Sequence, residues 1–388
     1  MPEIVKANTV APSGTIHWVG TGLSTGSGLR LTCDSAERLI VWGRTVVKAE
    51  RRLAALGLTG RAETAAFNLP ALAGALAPGD IVVSMLPATE HVELLRLCVA
   101  RRAHFACTSY VSEDILTEAA AAEQAGIVVL TEAGLDPGID HVFAHRLVAQ
   151  AREAVGDAAV TAEFTSYCGG VPAVSNDFRY RFSWAPKGVL TALCTSARFI
   201  DEGVERTVGH PWTAARPLEI GGETFEVYPN RDSIPFVEQY GIPSTWSLDR
   251  FVRGTLRLRG WLDAWQPVFA QLRQGDGDRI AALADELAAR YPTTDADHDR
   301  VVLSVALRVR GADGVAWQGE YLLDLVGDST ETAMARTVSV PLALGISELL
   351  AGSTAPGLHR AVEDIERLLE LLWNHGINFK FVQGGNTE

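Results

Sequence analysis

Short apolar runs alternate with alanine- and leucine-rich stretches over the first 130 residues of the chain. The apolar runs are residues 15–19, 39–42, 81–86, 105–107 and 127–130, and helical patterns at 46–57, 70–77 and 91–101 lie between them. Buried strands of a parallel sheet have this continuous apolar character, because helices cover both faces of such a sheet. We therefore predict an α/β fold with a Rossmann-type, doubly wound parallel sheet.

The pattern changes after about residue 159. Apolar and polar residues alternate with a period of two at 160–167, 224–228, 254–259, 301–309 and 319–325. This period predicts a second, α+β domain with a mixed or antiparallel sheet. Helical patterns at 342–352 and 358–373 follow Pro341. We expect a dinucleotide-binding domain over 1–135 and 342–388, and a substrate-binding and dimerisation domain over 136–341.

Composition narrows the functional class. The net charge of −13 argues against a nucleic-acid partner, which requires a cationic surface. Five scattered cysteines without C-x-x-C spacing, and no apolar run of about 18 residues, predict a cytoplasmic protein with no membrane association. His141 and His145 have the spacing of a helical zinc motif, but Val142 stands where that motif has glutamate, so we expect no metal.

The junction after the first strand is typical of a dinucleotide site. Gly20 permits a tight turn and Gly22 a close approach of pyrophosphate to a helix N-terminus, although Thr25 replaces the third glycine of G-x-G-x-x-G. Arg44 follows the second strand, where an NAD enzyme usually has an acidic residue. A guanidinium there favours the 2′-phosphate of NADP, and the alternative is a solvated arginine that begins a helix.

Several longer segments resemble one family. They are Thr108-Ser-Tyr-Val-Ser112, Gly134-Leu-Asp-Pro-Gly-Ile-Asp-His141, Ser166-Tyr-Cys-Gly-Gly170, Phe182-Ser-Trp184, Tyr228-Pro-Asn-Arg-Asp-Ser233 and Val252-Arg-Gly-Thr-Leu-Arg257. In this order they resemble the NADP-dependent, L-glutamate-forming saccharopine dehydrogenases, up to about residue 260 and again, weakly, at 330–380. The resemblance implies interconversion of saccharopine with L-glutamate and 2-aminoadipate 6-semialdehyde in lysine metabolism.

The resemblance also implies roles for individual residues. Its cofactor contacts fall on Gly20, Gly22, Leu23, Ser24, Arg44, Thr45, Leu86, Pro87, Ser109 and Leu135. Its substrate contacts fall on Tyr110, Asp136, Arg231, Arg253 and Thr255. The chain departs from the family where Ala173-Val-Ser-Asn176 replaces an acidic Pro-Glu segment. It departs again where the family's helical third domain is reduced to an insert near 261–298.

Three residues are candidates for the chemistry. Asp136 should follow a strand at the carboxyl edge of the sheet, where it would orient the substrate amine or form an Asx turn before Pro137-Gly138. Tyr110 could donate a hydrogen bond there or be an amphipathic tyrosine at a domain seam. Cys168 could reach the site or be a free buried thiol.

Two arginines suit a substrate with three carboxylates. Arg231 and Arg253 each lie beside turn residues, where the alternative to a binding role is a surface arginine. They also argue against the nearest alternative enzyme, a carboxyspermidine- or carboxynorspermidine-type dehydrogenase, whose cationic substrate needs acidic residues. A redox sensor that binds NADP(H) without turnover is the alternative from another class. The extended strands of the second domain also predict a homodimer.

Overall fold

The computed structural model describes residues 9–384 except 157, 275, 293, 295, 296, 362 and 363. Residues up to Ile139 are built from β1 (Thr15–Val19), α1 (Ser27–Ser35), β2 (Arg38–Gly43), α2 (Val46–Ala55), β3 (Glu63–Ala66), α3 (Leu69–Ala75), β4 (Ile81–Ser84), α4 (His91–Arg101), β5 (His104–Cys107), α5 (Glu113–Ala125) and β6 (Val128–Thr131). Helix α6 (Ile139–Val155) follows.

The remaining elements continue in chain order. They are β7 (Thr161–Pro172), α7 (Pro186–Cys194), β8 (Ala197–Asp201), β9 (Val204–Val208), β10 (Arg216–Ile220), β11 (Glu223–Pro229), α8 (Pro235–Gln239), β12 (Ser247–Leu258), α9 (Trp261–Ala264), α10 (Gln266–Leu272), α11 (Gly277–Arg290), β13 (Asp299–Gly311), β14 (Gly314–Val326), α12 (Ala333–Leu350), β15 (Gly357–Arg360), α13 (Ile365–Asn374) and β16 (Phe379–Gln383).

Two compact units divide the chain. The first contains residues up to Ile139 together with Ala335–His375, and the second contains Asp140–Met334 together with residues from Gly376 onward. Residues 376–384 therefore differ from the expected assignment of 342–388 to the first domain, because β16 pairs antiparallel with β14 in the second sheet. Residues 1–8 and 385–388 of the expected first domain lie outside the described part of the chain.

The first unit confirms the predicted Rossmann-type fold. Its parallel sheet has the order β15-β6-β5-β4-β1-β2-β3, so the chain reverses direction across the sheet between β1 and β4. Apolar side chains of β1, β2, β4 and β6 are buried under α1, α2 and α12 on one face. Ligands of open α/β sheets bind at the carboxyl ends of the strands beside such a reversal.

The predicted helix after Pro341 is longer than expected. It begins at Ala333, and Pro341 lies inside α12. Asp299 sets this start, because its two carboxylate oxygens accept hydrogen bonds from the backbone N–H groups of Ala333 and Met334 at 2.7 and 2.9 Å. Packing against the first sheet, through Leu342 and Ile346, offsets the cost of an internal proline.

The second predicted C-terminal helix, over 358–373, is only partly present. Residues Gly357–Arg360 form β15, which pairs in parallel with β6 at the edge of the first sheet, and α13 begins at Ile365. Within the described residues, α12 is also the one helix long and apolar enough to cross a membrane, and 72% of it is buried inside the protein.

The second unit has the predicted mixed sheet. Its order is β10-β11-β12-β7-β13-β14-β16, with β8 pairing β12 and β9, and the β12–β7 pair is parallel while its neighbours are antiparallel. Apolar side chains fill one face of this sheet. A second core of aromatic residues includes Phe178, Tyr180, Tyr228, Trp261 and Trp265.

Candidate active site

The glycine loop after β1 has the geometry that a dinucleotide requires. Gly20 has φ +115°, and a Cβ added to it would lie 2.9 Å from the backbone of Met85. Gly22 is exposed, and a Cβ added there would meet no atom within 4 Å. The loop therefore turns tightly at Gly20 and leaves open space beside the backbone of Gly22, which suits a pyrophosphate at this helix N-terminus.

Thr25 and Gly28 share the task of the missing third glycine. The buried Thr25 hydroxyl donates a hydrogen bond to the Gly20 carbonyl at 3.2 Å and so closes the loop. Gly28, in the first turn of α1, donates its backbone N–H to the Ser339 hydroxyl of α12 at 3.0 Å. A Cβ on Gly28 would lie 1.9 Å from the Ser339 carbonyl oxygen, so this is the position where helix packing requires glycine.

Basic residues surround the end of β2. Arg44 is exposed immediately after the strand, and Thr45 caps α2 by accepting the Lys48 backbone N–H at 3.3 Å. Arg52, which the sequence did not single out, donates to the Gly22 carbonyl at 3.1 Å. This arrangement places three cationic side chains, those of Arg44, Lys48 and Arg52, on the segment that would receive a 2′-phosphate.

The ends of β4 and β5 are joined by a buried histidine. Ser84 hydroxyl and His91 Nδ1 are 2.9 Å apart, and His91 Nε2 and Ser109 hydroxyl are 2.8 Å apart. Burial lowers the pKa of His91 to about 4, so the ring is neutral at physiological pH. His91 thus positions Ser109, a predicted cofactor contact, while Leu86 is half-buried and Pro87 exposed after β4.

Tyr110 and Asp136 are brought together after β5 and β6. The Tyr110 hydroxyl donates a hydrogen bond to a carboxylate oxygen of Asp136. Both side chains are half-buried, whereas Leu135 is 4% exposed. Gly138, at φ +146°, folds the chain back so closely that a Cβ would lie 2.0 Å from the Gly134 carbonyl oxygen. The two candidate catalytic residues therefore form a pair at the carboxyl edge of the first sheet.

The remaining predicted residues lie in the second unit. Cys168 of β7 is buried, and its Cα is the register partner of half-buried Thr255 of β12. Arg231 is exposed at φ +58°. Arg253 is 4% exposed, which departs from the surface position considered for it.

Arg253 is held by an ion pair and an aromatic ring. Its guanidinium donates to the carboxylate of Asp140, which is fully buried, and lies 3.9 Å from the centroid of the Phe236 ring. His141 packs beside this pair, with its Nδ1 2.9 Å from the Tyr240 hydroxyl. His141 thus has a hydrogen-bonding role in the core, and the described residues contain no group of three or more metal-ligating side chains.

All five cysteines are free thiols. Burial raises the pKa of Cys98 and Cys107, the latter to about 12. The residues that the sequence reasoning missed are Gly28, Arg52, His91 and Asp140. Asp140 carried a signal, since it lies in the matched segment 134–141, whereas Gly28 and His91 are required by tertiary contacts alone.

Comparisons with known proteins cover both units. Residues 16–130 match the family model for the saccharopine dehydrogenase NADP binding domain, and residues 134–377 match that for the saccharopine dehydrogenase C-terminal domain. These matches confirm the resemblance and NADP as the cofactor.

Individual relatives agree with the family models. Saccharopine dehydrogenase [NADP(+), L-glutamate-forming] of Pyricularia oryzae is 36% identical over 253 residues, 64% of this chain and 55% of that protein. The Saccharomyces cerevisiae enzyme of the same name is 37% identical over 197 residues, 49% of this chain and 43% of that protein. The aligned region spans about half the length of these curated relatives.

Solved structures extend the likeness over nearly the whole chain. Apo saccharopine dehydrogenase (L-Glu forming) from Saccharomyces cerevisiae has a TM-score of 0.78 and 26% identity, and the match covers 96% of this chain and 100% of that one. A homospermidine synthase from Legionella pneumophila in complex with NAD has a TM-score of 0.64 at 9% identity, covering 97% and 93% of the two chains. The latter likeness is one of fold alone.

Proposed function

Because the chain belongs to the saccharopine dehydrogenase family, we propose that it is an NADP-dependent oxidoreductase that interconverts saccharopine with L-glutamate and 2-aminoadipate 6-semialdehyde. The observation that carries this proposal is the extent of the match. A nucleotide domain alone is common to many dehydrogenases, but here residues 134–377 also match the family, and this segment holds the predicted substrate residues.

In this proposal the first unit binds the dinucleotide. The pyrophosphate lies against the open backbone of Gly22 at the N-terminus of α1, and Arg44 binds the 2′-phosphate. Ser109, held by His91, completes the contacts at the end of β5. When bound, NADPH supplies the hydride that reduces the imine formed between glutamate and the semialdehyde.

Asp136 and Tyr110 orient the substrate nitrogen. A carboxylate with an ordinary pKa near ~3.9 is a weak base at neutral pH, so Asp136 accepts hydrogen bonds from the amine or iminium and stabilises its positive charge. The hydrogen bond from Tyr110 fixes the direction of that carboxylate. Removal of the Tyr110 hydroxyl would therefore act through Asp136, and Tyr110 is a positioning residue.

The arginines of the second unit bind substrate carboxylates. Arg231 is exposed and belongs to a segment of the family resemblance. Arg253 has its charge balanced by Asp140, yet a guanidinium has five N–H donors and can hold Asp140 and a substrate carboxylate together. Thr255, one alternate position along the same face of β12, adds a hydroxyl.

The test is turnover with purified protein. We expect NADPH consumption when glutamate and the semialdehyde are mixed, and NADP reduction with saccharopine, both strongly reduced by Asp136→Asn. Arg231→Ala should lower kcat/KM for saccharopine roughly 30- to 5,000-fold while the melting temperature and NADPH affinity stay near wild type. No turnover with saccharopine in either direction would refute the assignment, and turnover of a carboxyspermidine-type substrate would identify the alternative enzyme.

We also propose a cytoplasmic homodimer. The second sheet ends at β16, an edge strand whose Phe381 and Val382 side chains are 37% and 54% exposed. An exposed apolar edge strand is favourable for pairing with another copy. Sedimentation equilibrium should give twice the chain mass, and Val382→Lys should shift it toward the monomer, whereas a wild-type monomer would contradict this part of the proposal.

A further inference from the structure

A third arginine of β12 is buried without an acidic partner. Arg257 is 5% exposed and points to the same face of the strand as Arg253 and Thr255, since alternate residues share a face. Its guanidinium carbon lies 4.9, 5.6 and 5.7 Å from the ring centroids of Tyr180, Tyr228 and Trp261. Aromatic rings thus surround a permanent positive charge.

The nearest candidate for a counter-charge is used elsewhere. Glu226 is the register partner of Arg257 across β11 and β12. Its two carboxylate oxygens instead accept the backbone N–H groups of Gly260 and Leu262 at 2.9 and 2.7 Å. In the described part of the chain, no ion pair includes Arg257, and its Nε donor has no hydrogen-bond acceptor.

The hydrogen bonds that Arg257 does make are few. One terminal nitrogen donates to the carbonyl of the adjacent Leu256 at 3.0 Å. The buried Tyr228 hydroxyl lies beside both Arg257 and Thr255. Burial raises the pKa of Tyr228, against the opposing effect of the Arg257 charge, so the phenol keeps its proton and is a donor.

A buried guanidinium without an anion is costly, because desolvation of a full charge exceeds what aromatic contacts return. A carboxylate in the plane of the guanidinium would use the donors at its edge while the rings cover its faces. We propose that Arg257, with the hydroxyls of Tyr228 and Thr255, binds one carboxylate of the substrate. This proposal rests on the proposed function, and it assigns Arg257 a binding role beside the residues implied by the resemblance.

The spacing along β12 fits a substrate with several carboxylates. Arg253 and Arg257 are four residues apart, so their Cα atoms are separated by roughly 13 Å at about 3.3 Å per residue. Thr255 lies between them on the same face. Two arginines at this separation can each hold a carboxylate of one elongated amino acid, which a substrate with a single carboxylate cannot satisfy.

The main experiment compares Arg257→Gln with Arg259→Gln, a control at an exposed arginine two residues further along the chain. We expect Arg257→Gln to raise KM for saccharopine by roughly 30-fold or more, with kcat within a few-fold of wild type and an unchanged Kd for NADPH. Arg259→Gln should leave all three values near wild type. A KM within threefold of wild type for folded Arg257→Gln would overturn the proposal.

Two further measurements separate the possible failures. If Arg257→Gln does not fold, Tyr228→Phe keeps the ring and removes only the hydroxyl, and should raise KM roughly three- to tenfold. An unchanged KM for Tyr228→Phe would then count decisively against the pocket. If wild type does not turn over saccharopine, the proposed function fails, and the melting temperature with glutarate decides on Arg257 by itself. A glutarate-induced increase that is lost in Arg257→Gln supports a carboxylate site, and equal increases in both proteins refute it.

Discussion

Replacing Gly28 by alanine is expected to force α1 and α12 apart. The added Cβ would lie 1.9 Å from the Ser339 carbonyl oxygen, and both partners belong to helices of the first unit. Neither is the end of a flexible side chain, so the backbone must move. The hydrogen bond from Gly28 N–H to the Ser339 hydroxyl, 3.0 Å long, would be lost as the helices separate.

The size of the effect follows from three contributions. Overpacking in a dense core costs about 1–3 kcal/mol, and loss of a buried hydrogen bond costs about 0.5–1.5 kcal/mol. The smaller backbone entropy of alanine returns at most about 1 kcal/mol. We therefore expect the first unit to be destabilised by about 1–3 kcal/mol. Because the N-terminus of α1 is the predicted pyrophosphate site, NADPH affinity should fall as well.

Gly74 provides a matched control. It lies near the end of α3, it is exposed, and a Cβ there would meet no atom within 4 Å. Gly74→Ala should be neutral or stabilising by up to about 1 kcal/mol. Urea unfolding together with hydrogen exchange of peptides from β1 and α1 would measure both variants. A Gly28→Ala protein as stable as Gly74→Ala would refute the packing argument.

Three other perturbations test the site. Arg44→Asp should reduce the preference for NADPH over NADH by roughly 10- to 150-fold, and equal use of both by wild type would contradict the role of Arg44. Asp140→Asn leaves the Arg253 charge uncompensated and should cost about 3–5 kcal/mol in urea unfolding, whereas Arg38→Gln, at an exposed ion pair, should cost at most about 1 kcal/mol. His91 is neutral when buried, so as pH falls from 6.5 toward about 4 the unfolded state gains a proton that the native state does not. Wild type should therefore lose up to about 3 kcal/mol over this window relative to His91→Gln, and parallel stability curves for the two proteins would contradict the depressed pKa.

Local patterns predicted the frame of both sheets. The apolar runs at 15–19, 39–42 and 81–86 correspond to β1, β2 and β4, because a buried parallel strand needs apolar side chains on both faces. The alternating runs likewise correspond to β7, β11, β12, β13 and β14. Gly20 and Gly22 could be recognised from their spacing alone, since the requirements for a turn and for open backbone are local.

Features that depend on distant partners could not be predicted in this way. Gly28 is constrained by Ser339, which is 311 residues away in sequence. Asp140 and Arg253 are 113 residues apart, so a lone arginine beside a glycine looked like a surface residue. The start of α12 depends on Asp299, and the local signal at Pro341 was therefore misleading.

The histidine between Ser84 and Ser109 has a consequence for ligand selectivity. A neutral imidazole carries one proton, on either nitrogen. With the proton on Nδ1, Ser109 must donate its hydroxyl hydrogen to Nε2 and offers only lone pairs to a ligand. With the proton on Nε2, the Ser109 hydroxyl is released to donate, while Ser84 reverses its own role in compensation. Tautomer exchange thus lets one serine present either polarity without moving a heavy atom, so the two oxidation states of a cofactor can be bound by the same rigid site.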